Sequence, residues 1–172
     1  MSAAGQPRIY LAGFDVFRPD AIAQGGYLKR LCREQGMLGL YPFDNEVDQG
    51  LAPGERAAQI CQLNLAMIRD ADAVLANLNP FRGFEPDSGT AFEVGAAVAL
   101  GKPVWAYFQH QGSMRQWLPG DEAGRDAEGY FIEDFGLPRN LMLACSWVGC
   151  SACVEEGVIA LRQYLADRSP AG

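Results

Sequence analysis

Two short apolar runs constrain this chain most. Ala73-Val74-Leu75-Ala76-Asn77-Leu78 and Pro103-Val104-Trp105-Ala106-Tyr107-Phe108 are each of strand length, and one helix-length stretch of small residues, 90–100, lies between them before Gly101. Strands joined through a single helix pair in parallel, with a right-handed crossover. The alternation recurs upstream: a buried strand over 8–13, a helix over 21–35 stopped by Gly36, and a strand over 37–41. A polar loop, 43–53, then leads to a helix over 54–69 with Ala57, Ile60, Cys61, Asn64, Leu65 and Ile68 at helical spacing. The pattern predicts a single-domain α/β fold: an open, mostly parallel, Rossmann- or flavodoxin-like sheet of four to five strands with helices on both faces.

The 172 residues fit one domain, 1–172, with residues 1–7 as a flexible lead-in. Residues 109–129 form a long polar, glycine-rich excursion, expected to be a mobile loop near the site or at an interface. Terminal helices are expected over 137–144 and 151–166, with a short extended piece around Trp147.

Charge narrows the function. A formal charge of −7 argues against a general phosphate-backbone binder, so no nucleic acid polymer is expected as a partner, while a small nucleoside ligand remains open. No apolar run is long enough to span a bilayer, and the N-terminus lacks a basic stretch followed by an apolar signal core, so a cytoplasmic protein without a membrane partner is expected. Five cysteines, an odd number, read as reduced structural thiols. Cys150-Ser151-Ala152-Cys153 is a lone CxxC without a second ligand pair, and His110 is the only histidine. No metal or cofactor is expected.

The stretch Glu85-Pro86-Asp87-Ser88-Gly89-Thr90-Ala91-Phe92-Glu93-Val94-Gly95 carries the chemistry. Thr90 and Glu93 fit a capping box, in which both side chains satisfy free amides at a helix start. Taken alone, the cap is the favoured reading of Glu93; three observations shift it toward a nucleophile. Asp87 is a second acid six residues earlier, and Gly89, Gly95, Ala96 and Ala97 let a ligand approach closely. A helix start also favours the ionised carboxylate that a nucleophile requires.

Ile9-Tyr10-Leu11-Ala12-Gly13, Ala71 to Leu78, the Asp87-Ser88-Gly89-Thr90-Ala91-Phe92-Glu93 block and Gly101-Lys102-Pro103-Val104 together resemble the nucleoside 2-deoxyribosyltransferases. Pro138-Arg139-Asn140-Leu141-Met142-Leu143 resembles their C-terminal segment. The resemblance implies 2′-deoxynucleosides and free nucleobases as substrates, and a retaining double displacement in which Glu93 attacks C1′. It implies that Tyr10 orients the nucleophile, that Asp87 binds sugar hydroxyls, and that Asn140 comes from a neighbouring subunit, making at least a homodimer. Gly13, Asn77 and Gly89 fall at substrate-contacting positions of the same motifs.

Phe14, Phe17, Pro80 and Phe81 are candidate walls for a flat base, and Arg82 either contacts that base or pairs with Glu85. Asn64 departs from family members that carry an aspartate there to help protonate the leaving base, since an amide is no general acid. Asp44 and Asp72 are the other acids to consider, with Asp72 better placed to begin the third strand. The alternatives are a 2′-deoxynucleoside 5′-monophosphate N-hydrolase and a non-catalytic nucleoside- or nucleotide-sensing module. Asp15 and Asp20, in the loop after the first strand, disfavour a bound phosphate.

Overall fold

A computed structural model describes residues 5–168. Five strands, β1 (Arg8–Ala12), β2 (Leu38–Leu40), β3 (Ala73–Asn77), β4 (Val104–Tyr107) and β5 (Gly149–Ser151), form one sheet in the order β2-β1-β3-β4-β5. Every pairing is parallel, with Tyr10 opposite Leu40 on one side and Val74 on the other. The expected open α/β sheet is thus present. The order reverses at β1, so the carboxyl ends of β1 and β3 open a crevice at which ligands of such sheets bind.

Strand alternation divides the core. Tyr10, Ala12, Val74, Ala76, Val104 and Ala106 point to one face, which α2 (Pro53–Asp70) and α3 (Ser88–Ala99) cover through Ile68, Val94 and Ala97. Ile9, Leu11, Ala73 and Leu75 point to the other, where α1 (Ala21–Glu34) and α6 (Val154–Arg168) bring Leu28, Cys32, Val158 and Leu161. On the first face the alanines leave room for one large polar ring, that of Tyr10, which is 0% exposed.

Several sequence expectations change in detail. Pro7 is held to the sheet, its carbonyl accepting from Leu38 N at 2.8 Å, while residues 1–4 of the expected flexible lead-in lie outside the described residues. The 109–129 excursion contains a helical turn, α4 (Met114–Trp117), which is pinned when Met114 N donates to the Leu137 carbonyl. Helix 137–144 shortens to α5 (Leu141–Ala144), because Asn140 caps its start by accepting from Met142 N. The extended piece is β5, a few residues beyond Trp147, and it delays α6 to Val154.

Arg139 sets the path of residues 137–140. Its fully buried guanidinium donates to the carbonyls of Leu78, His110 and Pro138 and lies over the rings of Phe108 and Trp117. Burial pulls its pKa down to about 10, leaving it charged at neutral pH. Cys150 packs on the α2–α3 face, whereas Cys153 lies near Tyr27 and Glu155 toward α1.

Candidate active site

A cavity of about 640 Å³ lies beyond the carboxyl ends of β1 and β2, against α2 and α3. One end holds Asp87, Gly89, Thr90 and Glu93 from the start of α3, with Gly13 from the turn after β1. The other is walled by Val16, Phe17, Pro42, Phe43, Val47 and Ile60, with Asn45, Gln49, Arg56 and Asn64 among them.

Glu93 is aimed by the sheet. Thr90, Val94 and Ala97 form the buried stripe of α3, and Glu93 lies at its edge, over β1. Tyr10 Oη donates to Glu93 Oε1 at 2.5 Å. Burial pushes the Glu93 carboxyl up to about 7; the tyrosine hydrogen bond opposes that rise and the neighbouring Asp87 charge adds to it. Burial and the Glu93 charge push the Tyr10 hydroxyl far above its ordinary value, so it remains a donor.

The capping box between Thr90 and Glu93 does not form. Asp87 is the N-cap of α3, and its Oδ2 accepts from Thr90 N at 2.9 Å and from Thr90 Oγ1 at 3.0 Å. Glu93 stands nearly two turns into the helix, beyond reach of the first amides, and is bonded to Tyr10 instead. What holds its ionised form is the Tyr10 hydrogen bond, against a larger opposing effect of burial. Asp87 lines the cavity, and its Oδ1 makes no hydrogen bond among the described residues.

Of the other expected site residues, Gly13, Phe17, Asn64 and Gly89 line the cavity. Phe14, Pro80 and Phe81 do not: Phe81 stacks on Phe14 at 4.9 Å and on Phe17 at 5.3 Å, spending its faces on other rings. Arg82 lies over Phe17 and Phe81 and forms no ion pair with Glu85. Asn77 is buried beneath the floor, where its Nδ2 donates to Asp15 Oδ2 at 2.9 Å. Asp15 is 4% exposed, also accepts from Gln24 Nε2, and lies so close behind Gly13 that a Cβ there would meet its Oδ2 at 2.8 Å.

Asn140 lies away from its own chain's cavity. It borders a groove on the outer side of α3 with Ala91, Val94, Gly95 and Met142, and its Nδ2 donates to Glu133 at 2.6 Å. No residue of 109–129 lines the cavity either. Asp44 is engaged by Lys29 and the Tyr41 amide, and Asp72 accepts from Arg8 N at the amino end of the sheet, so neither reaches a base in the cavity.

Sequence reasoning missed Phe43, Val47, Asn45, Gln49 and Arg56 as cavity residues. Arg56, Ile60 and Asn64 stand four residues apart on one line of α2, a signal present in the sequence. Residues 42–49 carry no comparable periodicity.

The model of the nucleoside 2-deoxyribosyltransferase family matches residues 9–142. The chain belongs to that family. A solved structure described as a 2-desoxiribosyltransferase from Leishmania mexicana is 33% identical and superposes with a TM-score of 0.77 over 92% of this chain and 98% of that one. An uncharacterised protein of Schizosaccharomyces pombe is 33% identical over 79% of this chain and 74% of its own length. The 5-hydroxymethyl-dUMP N-hydrolase of Mus musculus is 34% identical over 55% of this chain and 52% of its own. Among the described residues no helix is long and apolar enough to cross a membrane.

Proposed function

We propose that the protein is a nucleoside 2-deoxyribosyltransferase that moves 2-deoxyribose from a 2′-deoxynucleoside to an acceptor nucleobase. The observation that carries this reading is the 2.5 Å bond between Tyr10 and Glu93 at one end of a cavity whose other end is walled largely by apolar side chains, Phe17 and Phe43 among them. A Glu93 carboxylate oxygen attacks C1′; the bond from C1′ to the base nitrogen breaks, and its electron pair leaves with the base. The deoxyribosyl group remains as an ester of Glu93. A ring nitrogen of the second base then attacks C1′ and expels the carboxylate, its N–H proton passing to solvent, and two inversions restore the β configuration. Absence of a 2′-hydroxyl eases positive charge at C1′, which suits a deoxyribose donor.

In this reading Tyr10 holds Glu93 on the line of attack and favours its ionised form. Asp87 caps α3 with one oxygen and offers the other to a sugar hydroxyl. Asn140 serves a neighbour's sugar site, which requires at least a homodimer. The apolar side chains of its groove support this: Val98 is 39% exposed and Met142 71%.

Hydrolysis of a 2′-deoxynucleoside 5′-monophosphate is the second reading, favoured by the likeness to the mouse hydrolase. The buried Asp15 carboxylate behind Gly13 opposes it, because a phosphate over that floor meets a like charge. The loop's cation, Arg18, is already paired with Asp20 at 2.8 Å. Incubation with 2′-deoxyinosine, with and without adenine, decides the matter. New 2′-deoxyadenosine supports transfer, whereas free hypoxanthine formed at the same rate without adenine overturns it. The 5′-monophosphate donor is expected to react at least about tenfold more slowly.

A further inference from the structure

On the transferase reading, the leaving base departs at the end of the cavity that holds no acid. Of the titratable side chains lining the cavity, Asp87 and Glu93 belong to the sugar end, and Arg56 is a guanidinium, which does not give up its proton. Arg56 is also engaged, its Nη1 donating to Gln49 Oε1 at 3.1 Å, so the departing base is left to hydrogen-bond donors that keep their protons. Two carboxamides are joined there: Asn45 Nδ2 donates to Asn64 Oδ1 at 3.0 Å, and both residues line the cavity.

That bond fixes how the pair faces a ligand. It occupies the Asn64 carbonyl and one N–H of Asn45. Asn64 Nδ2 and Asn45 Oδ1 make no hydrogen bond with any described residue. Asn64 thus offers two N–H groups, and Asn45 offers a carbonyl. Phe43 and Ile60 supply apolar surface close by. A planar heterocycle with an acceptor beside a donor on one edge matches this pair, as do N7 and the 6-amino group of adenine.

We propose that Asn45 is a positioning residue that locks the Asn64 carboxamide with its N–H groups toward the base, and that the two amides together read an acceptor–donor edge. The inference rests on the transferase reading and names the contact that stabilises its leaving group. When the C1′–N bond breaks, the electron pair stays on the heterocycle. An Asn64 N–H directed at a ring nitrogen stabilises that charge without proton transfer. The base leaves as its anion and takes its proton from water. Held by Asn45, the amide needs no reorientation as the charge develops.

Binding without turnover tests the pair apart from the chemistry. In a Glu93→Gln background, 2′-deoxyadenosine is expected to bind about tenfold more tightly than purine 2′-deoxyriboside, which lacks the 6-amino donor. Adding Asn45→Ala should reduce that preference to less than about twofold. A preference that survives Asn45→Ala unchanged, or that is absent before it, overturns the edge reading.

Asn45→Asp tests the lock. A carboxylate at 45 accepts from Asn64 Nδ2 and turns the Asn64 carbonyl toward the base. With Glu93 intact, kcat/KM should fall about 100-fold and depend more steeply on the acidity of the leaving base across a series of 2′-deoxynucleosides. Thermal melting comes first; if the aspartate variant fails to fold, Asn45→Ala is carried through the same series and should show a smaller steepening. An equal loss for every base, with no change of slope, overturns the lock. Normal binding selectivity in a protein that hydrolyses but never transfers would defeat the transferase reading alone.

Discussion

The two ends of the cavity are built on opposite plans. At one, which the proposal assigns to the sugar, a central strand and a helix hold ionisable groups: Tyr10 from β1, with Asp87 and Glu93 from the start of α3. At the other end, which the proposal assigns to the base, the irregular 42–49 segment and one line of α2 offer apolar walls, amides and a single cation, Arg56, but no acid. Bond-making at C1′ needs a group held to within a fraction of an ångström, and packed regular elements give that precision. Holding a flat base needs area and a few dipoles, which a loop supplies. Substitutions at the sugar end should therefore remove catalysis, and those at the base end should shift substrate preference.

The largest effect is expected from Glu93→Gln. Transfer should fall by a factor on the order of 10⁴ or more, while the fold persists, because Tyr10 can donate to the amide carbonyl. The variant should also melt higher than the parent at pH 8. Glu93 holds its proton up to about 7 when folded, against an ordinary 4.5, so its contribution to stability is full at acid pH and is lost as pH rises through 7. Glutamine avoids that loss, a gain on the order of 1 kcal/mol at pH 8. Near-normal transfer by this variant, measured by product chromatography, would remove Glu93 from the mechanism.

Asn140→Ala should lower kcat/KM about 100-fold, and a mixture tests whether the residue acts across subunits. Chains carrying Glu93→Gln and Asn140→Ala, unfolded and refolded together in equal amounts, form mixed dimers with one intact site. Activity should return to about a quarter of the parent's. A mixture no more active than its parts places Asn140 outside the neighbour's site.

Tyr10→Phe is expected to cost about tenfold in kcat and to move the pH profile. In the parent, kcat/KM should rise with pH through about 7 as Glu93 ionises. Removing the phenol takes away the bond that opposes the burial-driven rise, so the limb should move to higher pH. A limb that stays in place would show that the hydroxyl does not tune the carboxylate. The smallest effect belongs to the base end: Phe43→Ala should raise KM a few-fold with kcat within about twofold of the parent. An equal fall in kcat would break the contrast between the ends.

Legibility followed the same division. Tyr10 and Glu93 were readable because each belongs to a regular element whose type its own neighbours specify. The cap was not: Asp87 three residues before Thr90, and Thr90 three before Glu93, both fit a helix start, and only the reach of Tyr10 across the sheet separates them. That Phe14 and Phe81 lie off the cavity was not legible, since an aromatic that stacks on another ring has the same local sequence as one facing a ligand. On α2 only Ile68 is buried, so the apolar spacing there reflects the cavity and exposed surface more than the core.

The sequence by itself determined the alternation of strands and helices, the face of β1 that carries Tyr10, and the acids at the start of α3. These follow from short-range periodicity, which a chain writes locally. Only the tertiary structure decided that Glu93 leaves the helix cap for Tyr10, that its carboxyl is pushed up to about 7, and that Asn45 grips Asn64. Each of those depends on groups distant in the chain, brought together and stripped of water by packing.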